Sequence, residues 1–117
     1  MDAFDILGDP VRRRILELLA ADERSAGDVV DVIRAEFGLT QPAVSRQLRV
    51  LRESGFASAR AEGTRRLYVL NGRSLTGVEG WLGDLRRQWS QRLDALETEL
   101  ARGRRGTDKR SRSSRRA

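Results

Sequence analysis

The feature that most constrains the fold is a pair of apolar-periodic segments separated by a very short, glycine-containing turn. Their apolar residues recur with the three- and four-residue spacing of an α-helix: Val29, Val30, Ile33 and Phe37 in the first, and Val44, Leu48 and Leu51 in the second. Ser25 and Thr40 stand where N-caps are favoured, and Gly38 where a C-cap is favoured. Two helices joined by a tight turn are therefore predicted.

The segments before this pair predict two more helices. Residues 2–7 form a short apolar-polar stretch, and Asp9 followed by Pro10 is typical of a helix start. Apolar residues at helical spacing continue from there to about Ala21, and residues 22–24 are expected to be a loop.

In the segments after this pair, the residue pattern changes from that of a helix to that of extended strands. Residues 57–61 and 65–70 have extended character, with the Glu62-Gly63 turn between them, which predicts a β-hairpin. Ser74 is expected to open the last and longest helix. The predicted fold is mainly α with a small β-hairpin, in the order α-α-α-α-β-β-α. This is the arrangement of a winged helix-turn-helix.

The polar face of the fourth helix suggests contact with nucleic acid. Gln and Arg side chains can form bidentate hydrogen bonds with adenine and guanine, and small residues let a helix approach the groove floor. The candidate contacts on this helix are Thr40, Gln41, Ala43, Ser45, Arg46 and Arg49. The hairpin adds Arg60, Arg65 and Arg66, which suit phosphates or a minor groove. A polar face is more often simply solvated, but the combination of turn, helix and basic hairpin favours double-stranded DNA.

Composition argues against several other classes of function. The chain of 117 residues contains no Cys and no His, and its single Lys is Lys109. No nucleophile–base pair or metal-ligand set can be assembled from such residues, so neither an enzyme nor a cofactor is predicted. No apolar run is long enough to span a membrane, and the acidic start lacks the basic region of a secretory signal. A cytoplasmic location is expected.

Three stretches resemble the ArsR family of winged helix-turn-helix repressors. LGDPVRRRILELL at 7–19 resembles the family's opening, TQPAVSRQLRVLRESG at 40–55 its recognition helix, and residues 60–70 its wing. The resemblance implies a homodimer that represses transcription from a palindromic operator. By position it also implies DNA contacts from Gln41, Ser45, Arg46 and Gln47, with Arg49 and the wing arginines on phosphates.

The same resemblance implies a dimer paired through the first and last helices. In the last helix, apolar residues recur at spacings of three and four, as in a coiled-coil seam. The predicted interface comprises Phe4, Leu7, Leu82, Leu85, Trp89, Leu93 and Leu96. Trp81 and Trp89 are expected to pack in the core or at the interface; a lining for a small-molecule inducer is the alternative reading.

Metal sensing is not expected, although many members of the family sense metals through Cys in the third helix or His and carboxylates in the last. Here the last helix offers only carboxylates, an arrangement typical of a solvated helix face. The sequence resembles a non-metal subgroup of the family.

The basic charge is concentrated at the C-terminal end. Eight of the 23 basic residues lie beyond residue 101, in a stretch rich in Gly, Ser and Arg. We expect residues 1–101 to be the DNA-binding and dimerisation domain and residues 102–117 to be a disordered basic tail. An architectural protein that coats DNA nonspecifically through this tail is the alternative to a sequence-specific repressor. A winged helix that binds only protein fits less well, since the fourth helix carries so many arginines.

Overall fold

The computed structural model describes the backbone of residues 1–114 and the side chains of residues 1–104. The helices are α1 (Ala3–Leu7), α2 (Pro10–Ala21), α3 (Ala26–Phe37), α4 (Gln41–Glu53) and α5 (Thr76–Ser114). The strands are β1 (Arg24–Ser25), β2 (Ala57–Glu62) and β3 (Arg65–Leu70), and a 3₁₀ helix spans Gly72–Leu75. The chain forms two compact units, Met1–Glu79 and the remainder from Gly80.

Local capping explains why the helices begin where they do. The side chains of Asp2, Asp9, Ser25 and Thr40 each accept a hydrogen bond from the backbone N–H three residues later. Each thereby satisfies one of the N–H groups that a helix start leaves without a partner. The predicted caps of α2, α3 and α4 are confirmed.

The turn between α3 and α4 consists of Gly38, Leu39 and Thr40. Gly38 has φ of 69°, a left-handed conformation in which a residue with Cβ is strained, and its N–H donates to the Arg34 carbonyl at 2.9 Å. The predicted helix-turn-helix is therefore present, with its glycine at the position that requires one.

The sheet has three strands rather than the two predicted. β3 is central, with β2 along one edge and the two-residue β1 along the other, all antiparallel. β1 includes Arg24, which the sequence assigned to a loop; the prediction was wrong because two residues are too few to show a period. Ser25 ends β1 and caps α3, so this short strand joins the sheet directly to the helix-turn-helix.

The core of the first unit lies where the inner faces of α1–α4 meet the base of the hairpin. Its fully buried side chains are Ile6, Ile15, Val29, Ile33, Val44, Leu48 and Leu51. Phe56, Ala57 and Tyr68 extend it to the sheet. The apolar stripe predicted for α4 is confirmed, because Val44, Leu48 and Leu51 are all 2% exposed or less.

The C-terminal part differs from the prediction in two ways. α5 begins at Thr76 rather than near Ser74, because a 3₁₀ turn capped by Asn71 precedes it. The backbone is helical through Ser114, whereas a disordered tail was predicted from Arg102. Arg and Lys are good helix formers and no proline follows Pro42, so an established helix can propagate through this stretch. The last three residues of the predicted tail, 115–117, lie outside the described residues.

An ion pair joins α2 to α3. The Arg14 guanidinium donates from Nε to Glu36 Oε2 at 2.9 Å and from Nη2 to Glu36 Oε1 at 2.9 Å, a two-pronged contact. This hydrogen bonding lowers the pKa of the Glu36 carboxyl below its ordinary value and raises the pKa of Arg14. Because α2 and α3 also pack through the core, the pair contributes to their relative orientation.

We predict that the stability of Glu36→Gln depends less on pH in the acid range than the stability of the wild type does. A carboxyl whose pKa is lower in the folded state stabilises the fold above its unfolded pKa, and this contribution disappears as pH falls through the folded pKa. The difference in urea midpoint between wild type and Glu36→Gln should thus be largest at pH 7 and should shrink at pH values below about 4.3. Asp31→Asn is the matched control on α3, since Asp31 makes no ion pair with any described residue. A difference in urea midpoint that does not depend on pH would contradict the lowered pKa of Glu36 in the folded state.

Candidate nucleic-acid interface

The start of α4 is capped internally, which limits how many backbone donors it offers to a ligand. Ala43 N–H donates to Thr40 Oγ1 at 3.3 Å, Val44 N–H donates to Thr40 O at 3.1 Å, and Pro42 has no N–H. Attraction for an anion at this end therefore depends mainly on side chains. The Thr40 hydroxyl is exposed and keeps its own proton for a further hydrogen bond.

The face of α4 opposite the buried stripe carries most of the predicted contacts. Gln41, Ser45, Arg46 and Arg49 are all exposed. Pro42, Ser45, Arg46 and Arg49 line one shallow depression on this face. Within the described residues, neither Arg46 nor Arg49 forms an ion pair with a carboxylate, so both guanidinium groups are available to a ligand. The structure thus brings three predicted residues, Ser45, Arg46 and Arg49, together on one accessible surface, and leaves Gln41 exposed at the start of the same helix.

Two predicted contacts on α4, Ala43 and Gln47, are only half-exposed. They lie along the flank of the helix rather than at the centre of the exposed face. Gln47 already has a partner within the chain, because its Oε1 accepts a hydrogen bond from Arg12 Nη1 at 2.9 Å. The structure therefore places Gln47 at the junction of α4 with α2.

Arg12 is a residue that the sequence reasoning did not single out. Its Nε donates to Ile6 O at 3.0 Å and its Nη2 to Asp5 O at 2.9 Å, so it also caps the end of α1. Its side chain is 13% exposed, and Asp9 lies 3.8 Å from Nη1. One available signal was the spacing from Asp9, because a carboxylate and an arginine three residues apart share a helix face.

The wing arginines do not behave alike. Arg60 Nη2 contacts Glu23 Oε1 at 2.5 Å and its Nη1 contacts Glu62 Oε2 at 3.2 Å. Arg65 and Arg66, next to the turn at Gly63, are exposed and form no ion pair with a carboxylate of the described chain. The arginines nearest the tip are therefore available, whereas Arg60 is already neutralised.

The base of the wing is held by Asn71. Its N–H donates to Phe56 O at 2.9 Å, its Nδ2 donates to Gly55 O at 3.0 Å, and its carbonyl accepts from Ser74 Oγ at 2.6 Å. These bonds anchor the hairpin to the C-terminal end of α4, so they help to fix the orientation of the wing relative to the candidate recognition helix.

The residues predicted for a dimer interface are mostly exposed in the single chain. On α5, Leu82, Leu85, Trp89, Leu93 and Leu96 are between 39% and 56% exposed. On α1, Phe4 is 48% exposed and Leu7 is half-buried. Trp81 is also half-exposed and does not line the apolar depression formed by Leu82, Leu85, Arg86 and Trp89. In isolation, the second unit presents a row of large apolar side chains to solvent.

The described residues provide neither a membrane-spanning helix nor a cluster of metal ligands. No helix of that part of the chain is long and apolar enough to cross a membrane. No cluster of three carboxylate, Cys or His side chains within it is placed to hold a metal ion.

Comparison with known proteins identifies the class. A model described as a helix-turn-helix domain matches residues 7–58, a segment that includes α2, α3 and α4. The transcriptional repressor SdpR of Bacillus subtilis is 30% identical over 81 residues, which cover 69% of this chain and 86% of that protein.

Two solved structures extend the comparison to the fold. One is an ArsR family transcriptional regulator, RHA00566, with a TM-score of 0.62 and 25% identity over 75% of this chain and 87% of that one. The other is the homodimeric winged helix-turn-helix DNA-binding domain of Mb0332 from Mycobacterium bovis, a possible ArsR-family regulator. Its TM-score is 0.55, with 26% identity over 74% of this chain and 76% of that one. The chain belongs to the ArsR-type family of winged helix-turn-helix, DNA-binding transcriptional regulators.

We predict that Glu23→Gln strengthens DNA binding, because it removes the shorter of the two ion pairs of Arg60 and leaves only the one with Glu62 to compete with a phosphate. One additional phosphate contact should increase the dependence of log affinity on log salt by about one unit. Fluorescence anisotropy with duplex DNA at several salt concentrations measures this slope. Glu17→Gln on α2 is the control, because it changes net charge equally while touching Arg14 rather than the wing. Equal effects of the two substitutions would show that only net charge matters.

Proposed function

We propose that this protein is a transcriptional repressor that binds a palindromic operator as a homodimer, with α4 in the major groove. The observation that carries the proposal is the exposed face of α4, where Ser45, Arg46 and Arg49 lie together and neither arginine has a carboxylate partner among the described residues; Gln41 is exposed at the start of the same helix. Such side chains can hydrogen-bond to base edges and phosphates. Arg65 and Arg66 at the wing tip supply further phosphate or minor-groove contacts. Repression, as opposed to activation, is supported by the likeness to SdpR.

The homodimer is supported by the homodimeric state of the Mb0332 domain and by the apolar surfaces of this chain. A second copy would cover the exposed leucines of α5, whose spacing is that of a helix–helix seam. The first unit has its own apolar depression, lined in part by Leu7, Leu16, Leu70 and Leu75. A twofold-symmetric pair presents two recognition helices about 34 Å apart, one turn of DNA.

The proposed role is binding without catalysis and without a metal signal, in the cytoplasm. No described group of ligands points to a metal, and the function needs only hydrogen bonding and charge. The basic residues beyond 101 are proposed to add affinity for any DNA rather than sequence preference, because phosphate contacts carry no sequence information. If those residues did all the binding, the protein would be architectural instead.

The central experiment measures anisotropy of the full chain with DNA from upstream of its own gene and with scrambled DNA, each at two salt concentrations. We expect operator DNA to bind about 10³-fold more tightly or better. Arg46→Ala should cost about 1–3 kcal/mol on the operator and reduce base discrimination. Arg34→Ala, which removes an exposed arginine from α3, is the charge-matched control. Equal affinity for both DNAs that collapses with salt would favour the architectural alternative.

We also predict that the double variant Leu85→Glu/Leu93→Glu is monomeric where the wild type is dimeric, because it buries two charges in the proposed seam. Size-exclusion chromatography with light scattering gives the mass, and affinity for the palindrome should fall toward that for a half-site. Gln91→Glu is the control: around the axis of α5 it lies roughly 120° from Leu85 and roughly 160° from Leu93, so it adds charge away from the seam. A dimeric double variant would refute the placement of the interface.

A further inference from the structure

The contact between Arg12 and Gln47 fixes which end of the Gln47 amide is available for recognition. A guanidinium has five N–H donors and no acceptor. Only the carbonyl oxygen of Gln47 can therefore lie against it, as it does at 2.9 Å from Nη1. The opposite end of the amide carries two N–H donors, which have no hydrogen-bond partner within the described residues.

Arg12 is itself held in place. It donates to two carbonyls at the end of α1, those of Asp5 and Ile6, and Asp9 lies close to its Nη1. Its side chain is largely buried at 13% exposure. With these three contacts, the Arg12 guanidinium is a fixed partner for the Gln47 oxygen. Rotating the Gln47 amide by half a turn would break a charge-assisted hydrogen bond and place its N–H donors against those of Arg12.

We propose that Arg12 is a positioning residue for base recognition, and that it restricts Gln47 to reading hydrogen-bond acceptors in the major groove. An unrestrained glutamine reads adenine with both ends of its amide, donating to N7 and accepting from N6. Because the oxygen of Gln47 is turned toward Arg12, the end of the amide left for a base is the one that carries the two donors. Guanine, with acceptors at N7 and O6, and thymine, with O4, fit this presentation; cytosine, which presents a donor, does not.

This inference rests on the proposed function, since it assumes that α4 enters the major groove. It goes further by assigning a base preference to one side chain and by giving a role to a residue far from the exposed face of α4. The role is distinct from stabilising the fold, because it predicts a change at one operator position rather than a uniform loss of affinity.

The test is selection of binding sites from a randomised duplex library with the full chain, followed by anisotropy on duplexes that carry each base at the position concerned. Gln47→Met identifies that position, because it removes the donors while leaving the bonds of Arg12 to α1 possible. We expect the wild type to select guanine or thymine there, and Gln47→Met to lose that preference while the rest of the motif is retained.

Arg12→Gln provides the second arm. Releasing the Gln47 oxygen should raise the affinity for adenine relative to guanine at this position by at least about fivefold. Arg13→Gln is the matched control, because Arg13 also donates to an α1 carbonyl, that of Leu7 at 2.6 Å. If circular dichroism shows that Arg12→Gln does not fold, the comparison of wild type with Gln47→Met decides alone.

Two results would overturn the inference. A wild-type preference for adenine or cytosine at the position relaxed by Gln47→Met would show that Gln47 is not restricted to donors, and an unchanged motif in Gln47→Met would show that it reads no base. Either result leaves the proposed repressor intact, provided that the wild type selects a palindromic motif. A wild type that selects no motif would refute the proposed function and this inference together.

Discussion

The burial of one stripe of α4 is the constraint on which the rest of this structure depends. Val44, Leu48 and Leu51 are almost completely inaccessible to solvent and pack in the core shared by α1–α4. Since a helix has one rotation about its axis that buries a given stripe, this packing also decides which side chains face outward. Arg46 and Arg49 are exposed because the leucines and valine on the opposite side are not.

The arginines around this helix fall into two groups: those that bond to other groups of the chain, and those that are available to a partner. Three arginines are bound to groups of the chain itself. Arg12 bonds to α1 carbonyls and Gln47, Arg14 to Glu36, and Arg60 to two carboxylates near the wing. Arg46, Arg49, Arg65 and Arg66 form no such pairs among the described residues. DNA-binding surface therefore cannot be inferred from arginine content alone; it requires knowing which guanidinium groups lack internal partners.

Much of the fold was predictable from local signals. Helix starts at Asp9, Ser25 and Thr40, the turn glycine at Gly38 and the hairpin all follow from capping, left-handed backbone and alternation, which act over a few residues. Such short-range signals do not predict structure that depends on pairing between distant residues. The two residues of β1 become a strand only because β3 lies beside them. Short-range signals also fail in α5, where a composition typical of disorder continues as helix to Ser114.

For the candidate site, the sequence by itself determined which residue types lie on the polar face of α4 and in the wing, since helical and strand periods assign faces directly. Tertiary structure alone decided which of these groups are available. Arg12, which bonds to Gln47, is 35 positions away from it along the chain, and Glu23, one of the two partners of Arg60, is 37 positions away from Arg60. No local pattern reports such contacts, because they arise only when packing of the core brings α2 against α4 and the loop after α2 against the wing.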